Sequence, residues 1–123
     1  MKASFAFPAL SLAALALTVG LPLHRVGAAS PAAKTIQISA KRFSFDPGEV
    51  TLKKGEPVTL VLHSEDVPHG LRVRELALDL KAGKGGTVQA SVTPDKTGDF
   101  VGHCSSFCGS GHGSMTLTFH VVP

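Results

Sequence analysis

Short runs in which apolar and polar residues alternate extend over the chain from residue 35 to its C-terminal end. Thr35–Ala40 and Thr87–Thr93 both alternate in this way, and Gly- and Pro-containing segments separate such runs. A period of two predicts strands with one buried face, and no helical spacing persists beyond a turn or two. Val58–Leu62 is almost entirely apolar, which is typical of a strand inside a sandwich. The pattern therefore predicts an all-β fold, a small sandwich of about six to eight strands.

The first 28 residues have the pattern of a signal peptide. Lys2 is followed by an uncharged segment, Ala3–Leu23, and then by Val26 and Ala28, small residues suited to a signal-peptidase site. The alternative is an uncleaved membrane anchor, because Ala3–Leu23 just reaches the roughly 20 residues that a span requires. In both cases the rest of the chain lies outside the cytoplasm, in the periplasm or on the outer face of the membrane. We expect a linker over residues 29–34 and one folded domain over residues 35–123.

The charge of the chain argues against a nucleic-acid partner. The formal net charge is +3, but Lys2 and Arg25 belong to the leader and all nine acidic residues follow it. The domain itself therefore carries a net charge of only +1. A nucleic-acid-binding domain would have clustered basic residues on its folded part.

The candidate chemistry lies in one segment, Gly102–Met115, before the last predicted strand. It contains both cysteines of the chain, Cys104 and Cys108, followed by His112 and Met115. Thiolate, imidazole and thioether together form a soft ligand set that selects copper over hard cations. Farther upstream, His69 follows the apolar Val58–Leu62 run, so a sandwich can bring it to the same rim.

The spacing Cys104-x3-Cys108-x3-His112-x2-Met115, with His69 thirty-five residues before Cys104, resembles the binuclear copper centre (CuA) of cytochrome c oxidase subunit II. The preceding strand pattern resembles the cupredoxin domain of that family, and the resemblance runs from about Thr35 to Val122. It implies a cupredoxin-like Greek-key β-sandwich.

The resemblance also implies a binuclear centre of two copper ions with a defined ligand set. The two thiolates would bridge both ions, and one histidine would bind each ion. The methionine would be a weak axial ligand on the copper of the first histidine, and a backbone carbonyl between the cysteines a weak ligand on the other. The implied ligands are His69, Cys104, the carbonyl of Ser106, Cys108, His112 and Met115.

Two departures from the family concern its surroundings. Ser106 replaces the acidic residue that the family carries between the cysteines, so we expect no hard-metal site beside the copper. The chain contains no tryptophan, so it cannot present the tryptophan patch through which the family receives electrons from cytochrome c. The resemblance still implies redox proteins as donor and acceptor, a c-type cytochrome or a terminal oxidase. From the leader, we expect membrane contact only if this segment is uncleaved.

The predicted function is one-electron transfer without catalysis, by a soluble carrier or by a subunit II-like domain of an oxidase. One alternative is periplasmic copper trafficking, because the same soft ligands bind Cu(I). Another is a structural sandwich closed by a disulfide between the two cysteines. That reading leaves His112 and Met115 unexplained. His63 and His120 are interpreted as structural or surface residues, and His103, which directly precedes Cys104, as a residue that could contact a ligand without binding the metal.

Overall fold

The computed structural model describes residues 33–123, and these residues form nine strands and two single 3-10 turns. The 3-10 turns cover Arg74–Leu76 and His112–Ser114. The strands are β1 (Lys34–Lys41), β2 (Ser44–Asp46), β3 (Glu49–Lys53), β4 (Val58–Ser64), β5 (His69–Val73), β6 (Leu78–Ala82), β7 (Thr87–Val92), β8 (Gly98–His103) and β9 (Thr116–Val122).

The strands are arranged in two sheets. One has the order β2-β1-β4-β7 and the other the order β3-β9-β8-β5-β6. Two pairs of neighbours, β1 with β4 and β3 with β9, run parallel, and the remaining pairs are antiparallel. The parallel pairs join strands that are distant along the chain, so the sheets depend on long-range pairing.

The predicted β-sandwich is confirmed, and the period-two pattern matches the burial of the strands. In β9, for example, Leu117, Phe119 and Val121 are buried while the residues between them are more exposed. In the sequence, Phe43 and Phe45 continue the alternation of Thr35–Ala40, which predicts one continuous strand. The chain instead turns at Arg42–Phe43, and β2 pairs back on β1 in the antiparallel direction. This short strand explains why nine strands are found where about six to eight were expected.

One apolar core lies between the sheets and continues to the end at which β8 and β9 are connected. Leu60 and Leu62 of β4 and Leu71 of β5 are fully buried, as expected for facing sheets. Met115 belongs to the same cluster, as do Cys104 and Cys108. The predicted ligand segment is therefore packed as part of the core.

The predicted signal peptide over residues 1–28 lies outside the described residues, as does most of the predicted linker. Lys34, which the sequence placed in that linker, is the first residue of β1. Within residues 33–123 no helix has the length and apolar character needed to cross a membrane.

Truncation of Phe119 tests the core. This ring is fully buried, whereas the ring of Phe107 is 80% exposed. We expect Phe119→Ala to lower the free energy of unfolding by about 3–5 kcal/mol. Phe107→Ala, the matched control, should change it by about 0.5 kcal/mol or less. Urea unfolding of the copper-free protein measures both, and equal losses would contradict this assignment of the core.

Candidate metal centre

The predicted ligands come from the start of one strand and from a single loop. His69 is the first residue of β5, Cys104 directly follows β8, and Met115 directly precedes β9. β8 pairs with β9 along its length and with β5 through Arg72 and His103. This pairing brings the beginning of β5 and the β8–β9 loop to the same end of the sandwich.

The two cysteines form the middle of the cluster. Both are free thiols, and their Sγ atoms lie 3.8 Å apart. His69 Nδ1 lies 3.8 Å from Cys104 Sγ, and His112 Nδ1 lies 3.7 Å from Cys108 Sγ. Each imidazole therefore faces a different sulfur atom. The ligand atoms of His69, Cys104 and Cys108 all lie within 4.8 Å of one another.

The two predicted weak ligands are also at this cluster. Met115 Sδ lies 3.8 Å from Cys108 Sγ, and the carbonyl oxygen of Ser106 lies 3.1 Å from Cys104 Sγ. All six residues predicted from the sequence are thus brought together. Their individual roles as ligands stay predictions.

The distances between these atoms fit a bound metal. Two sulfur ligands at about 2.3 Å from one tetrahedral ion lie about 3.8 Å apart. The distance between the two Sγ atoms has this value without any bond between them. Two thiols, two imidazoles and a thioether form the soft donor set that copper prefers. The spacing of the donors therefore suits a bound metal ion, and their chemistry suits copper.

Burial shields most of the cluster from water, although His112 is only half-buried, and it changes the chemistry of the thiols. His69 and Met115 are fully buried, and Cys104 and Cys108 are nearly so. Burial raises the pKa of the Cys108 thiol above its ordinary value, and the neighbouring Cys104 adds to this effect. The copper-free form therefore holds Cys108 as a neutral thiol at neutral pH, and a metal must displace its proton.

Asp66 fixes the orientation of the His69 ring. His69 Nε2–H donates to Asp66 Oδ1 at 2.7 Å, so the lone pair of Nδ1 faces Cys104. The backbone N–H groups of Arg42 and Val67 donate to the same carboxylate. These contacts, with that of Arg42 the largest, lower the pKa of Asp66 to about 2. A histidine ligand commonly donates its second nitrogen to a carboxylate in this way.

The loop between β8 and β9 (Cys104–Met115), called the ligand loop below, has its two ends joined by a hydrogen bond and is packed against the Phe43 ring. The N–H of Cys104 donates to the carbonyl of Met115 at 3.1 Å, which joins the two ends of the loop. The ring of Phe43 lies against Gly109 and Gly111, and a Cβ on Gly111 would come within 2.5 Å of it. Gly109 has a φ of 134°, a conformation that favours glycine.

Sequence reasoning did not assign roles to Asp66, Arg42 or Phe43. The spacing of Asp66, three residues before His69, was an available signal for a carboxylate partner. No spacing pattern points to Arg42, because its contacts lie 24 and 66 residues away.

The other three described histidines are not among the residues that contact the two cysteine sulfurs. His63 contacts Thr87 Oγ1 at 2.9 Å and His120 contacts Asp99 at 2.6 Å. The positions of these two agree with their interpretation as structural or surface residues. His103 directly precedes Cys104 and its side chain is exposed.

A buried cluster of one histidine and two cysteines, at one end of a cupredoxin-like sandwich, defines a metal-binding domain of the cupredoxin class. A more specific assignment comes from the family described as "Cytochrome C oxidase subunit II, periplasmic domain", which matches residues 32–122. The chain belongs to this family. The prediction of an electron-transfer domain of this family is thereby confirmed, and the domain lies on the periplasmic side.

Solved structures agree with this fold. The periplasmic domain of subunit II of cytochrome oxidase from Bradyrhizobium japonicum is similar at a TM-score of 0.66 and 21% identity, over 72% of this chain and 83% of that one. A chain of a heme-copper terminal oxidase dimer is similar at a TM-score of 0.66 and 25% identity, over 74% of this chain and 66% of that one. The metal binding domain of a Streptococcus pneumoniae Cu(I) exporting P-type ATPase is similar at a TM-score of 0.61 and 19% identity, over 78% of this chain and 92% of that one. The cluster, the family and the fold together support copper as the metal.

Packing of the ligand loop on Phe43 can be tested with two glycines. Because a Cβ at position 111 would overlap the Phe43 ring, we expect Gly111→Ala to destabilise the copper-free protein by about 1–3 kcal/mol. Gly113→Ala is the matched control, since a Cβ there would meet no atom within 4 Å. Thermal unfolding followed by circular dichroism measures both variants. A loss for Gly113→Ala as large as that for Gly111→Ala would contradict this packing.

Proposed function

We propose that the domain binds two copper ions in a CuA-type centre and transfers single electrons between redox proteins. In this proposal Cys104 and Cys108 would supply the thiolates that both ions share, and His69 and His112 would each bind one ion. The sulfur of Met115 would be the weak ligand beside His69, and the Ser106 carbonyl the weak ligand beside His112.

One observation carries the proposal. Two buried free thiols lie 3.8 Å apart, and each has a histidine nitrogen beside it: His69 Nδ1 at 3.8 Å from Cys104 and His112 Nδ1 at 3.7 Å from Cys108. A site for one blue copper ion uses one thiolate and two imidazoles and has no role for a second cysteine. The second cysteine, with one histidine nitrogen beside each sulfur, therefore supports two ions.

The surrounding residues keep water away from the sulfur atoms and hold the proposed ligands in place. A binuclear copper centre, when bound, supplies one unpaired electron shared over two metal ions. Burial of Cys104, Cys108 and Met115 excludes water from the sulfur atoms. Asp66 holds the His69 ring in place, and the closed base of the loop holds Met115 near Cys108. Ligands that are held in this way move little when the charge changes, which favours fast electron transfer.

The periplasmic placement of the family supports a c-type cytochrome or a terminal oxidase as redox partner. In this proposal the domain is an electron carrier and not an enzyme. It acts either as a soluble carrier or as the electron-entry domain of an oxidase.

Paramagnetic resonance of the copper-loaded protein tests the proposal. The reduced full chain is loaded with copper, and the metal content and the spectrum are recorded together. Two copper ions per chain, with hyperfine structure from one electron shared by two equivalent nuclei, are the expected result. A signal from one isolated copper ion, or a silent Cu(I) adduct as in copper trafficking, would contradict it. A chain that binds no copper and forms a disulfide would also contradict it.

Two ligand variants separate the proposed roles. Cys108→Ser removes a bridge between the ions and should abolish the shared-electron signal. Met115→Leu keeps the volume of the side chain but removes a weak ligand, so the signal should persist with a changed reduction potential. Ser110→Ala, an exposed position in the same loop, is the control and should match the unmodified protein. Equal loss of copper in Cys108→Ser and Met115→Leu would contradict the assigned roles.

The affinity for copper should be lower at low pH than at high pH. Burial raises the pKa of Cys108, so the copper-free protein carries this proton throughout the neutral range and must release it to bind a metal. Affinity should therefore fall as the pH falls, by about tenfold per pH unit for each proton released. Competition against a chelator at several pH values measures the slope, and an affinity that is constant from about pH 6 to pH 8 would rule out thiol deprotonation as the coupled step.

A further inference from the structure

The turn that joins β1 to β2 lies between the two chain segments that carry the proposed ligands. Arg42 in this turn contacts both segments. Its backbone N–H donates to Asp66 Oδ2 at 2.8 Å, and its side-chain Nε–H donates to the carbonyl oxygen of Cys108 at 2.8 Å. A single residue thus connects the segment before β5 with the β8–β9 loop.

The first of these contacts acts on His69 through Asp66. One carboxylate oxygen of Asp66 accepts the backbone N–H of Arg42, and the other accepts Nε2–H of His69 at 2.7 Å. The carboxylate therefore cannot turn without breaking one of these bonds. Arg42 and His69 are held on opposite sides of the same group.

The second contact acts on the loop between the cysteines and His112. The guanidinium is planar and always charged, so its Nε–H points in a direction fixed by the rest of the side chain. Its acceptor is the backbone of Cys108, directly before Gly109. A Cβ on Gly109 would lie only 3.6 Å from Arg42 Nε and 3.0 Å from the Phe43 ring. The guanidinium and the Phe43 ring are therefore both packed closely on this part of the loop.

We propose that Arg42 is a positioning residue of the metal centre, which ties Cys108 to the Asp66–His69 pair and holds both halves of the ligand set in place before a metal binds. This inference rests on the proposed function, because it concerns the same centre. It assigns a role to a residue that is not a proposed ligand and that lies in the β1–β2 turn, which carries none of the ligands. The positive charge of Arg42 also lies beside the centre, where it favours the reduced form over the more positively charged oxidised form.

Variants of Arg42 separate the hydrogen bond from the charge. Arg42→Gln removes the charge, and Arg42→Lys keeps the charge but removes the rigid planar donor. Lys41→Gln is the matched control, since it removes one exposed positive charge from the neighbouring position. Circular dichroism establishes that each variant is folded.

The first measurement uses the copper-free full chain. Hydrogen exchange is followed at the amides of Cys104, His112 and Met115, which donate within the ligand loop. We expect both Arg42 variants to exchange about tenfold faster at these amides, and Lys41→Gln to exchange as the unmodified chain does. Loop amides that are equally protected in all four proteins would overturn the inference, whether or not the chain binds copper.

The second measurement uses the copper-loaded chain. We expect Arg42→Gln to lose copper to a chelator about tenfold faster than the unmodified protein and to have a lower reduction potential. Arg42→Lys should lose copper faster but keep most of the potential, because it retains the charge. Copper release and potential unchanged in Arg42→Gln would refute the positioning role and leave the proposed function intact. Absence of the shared-electron signal in the unmodified chain would instead refute the proposed function, and the exchange experiment would still decide the role of Arg42.

Discussion

Two sulfur atoms held 3.8 Å apart inside the end of an apolar core are the constraint on which this domain depends. Neutral thiols can be buried at little cost, but a single thiolate in the same place would lose its hydration without compensation. A soft metal ion would resolve this conflict, because it would replace the thiol protons with a bound positive charge. The two sulfur atoms can thus be buried as neutral thiols, and a bound metal would offset the charge of the thiolates.

The topology of the sandwich explains how ligands that are far apart in sequence meet at the two cysteine sulfur atoms. β5 begins at His69 and pairs with the last residue of β8. The loop from the end of β8 to the start of β9 supplies every other proposed ligand. Long-range pairing of strands therefore sets the coarse position of the centre. Hydrogen bonds at the loop base and at Asp66 then set its finer geometry.

The alternating pattern was sufficient to predict the sandwich and most of its strands, because period-two burial is a local signal. The spacing of Cys104, Cys108, His112 and Met115 was likewise local, and the distant His69 could be added because it follows the apolar Val58–Leu62 strand; the resemblance supported the same residue. The turn at Arg42–Phe43 was not predicted, because Phe43 and the following Phe45 fit the apolar–polar alternation of β1. The contacts of Arg42 could not be predicted, because they depend on a chain reversal and on strand pairings that no local pattern encodes.

Anomalous diffraction at the copper edge, from crystals of the copper-loaded full chain, locates each bound ion. We expect two copper peaks, each within bonding distance of both cysteine sulfurs, with His69 bound to one ion and His112 to the other. We also expect the β8–β9 loop to keep its copper-free conformation. A single copper peak, or two peaks that share no sulfur ligand, would contradict a CuA-type centre in this domain.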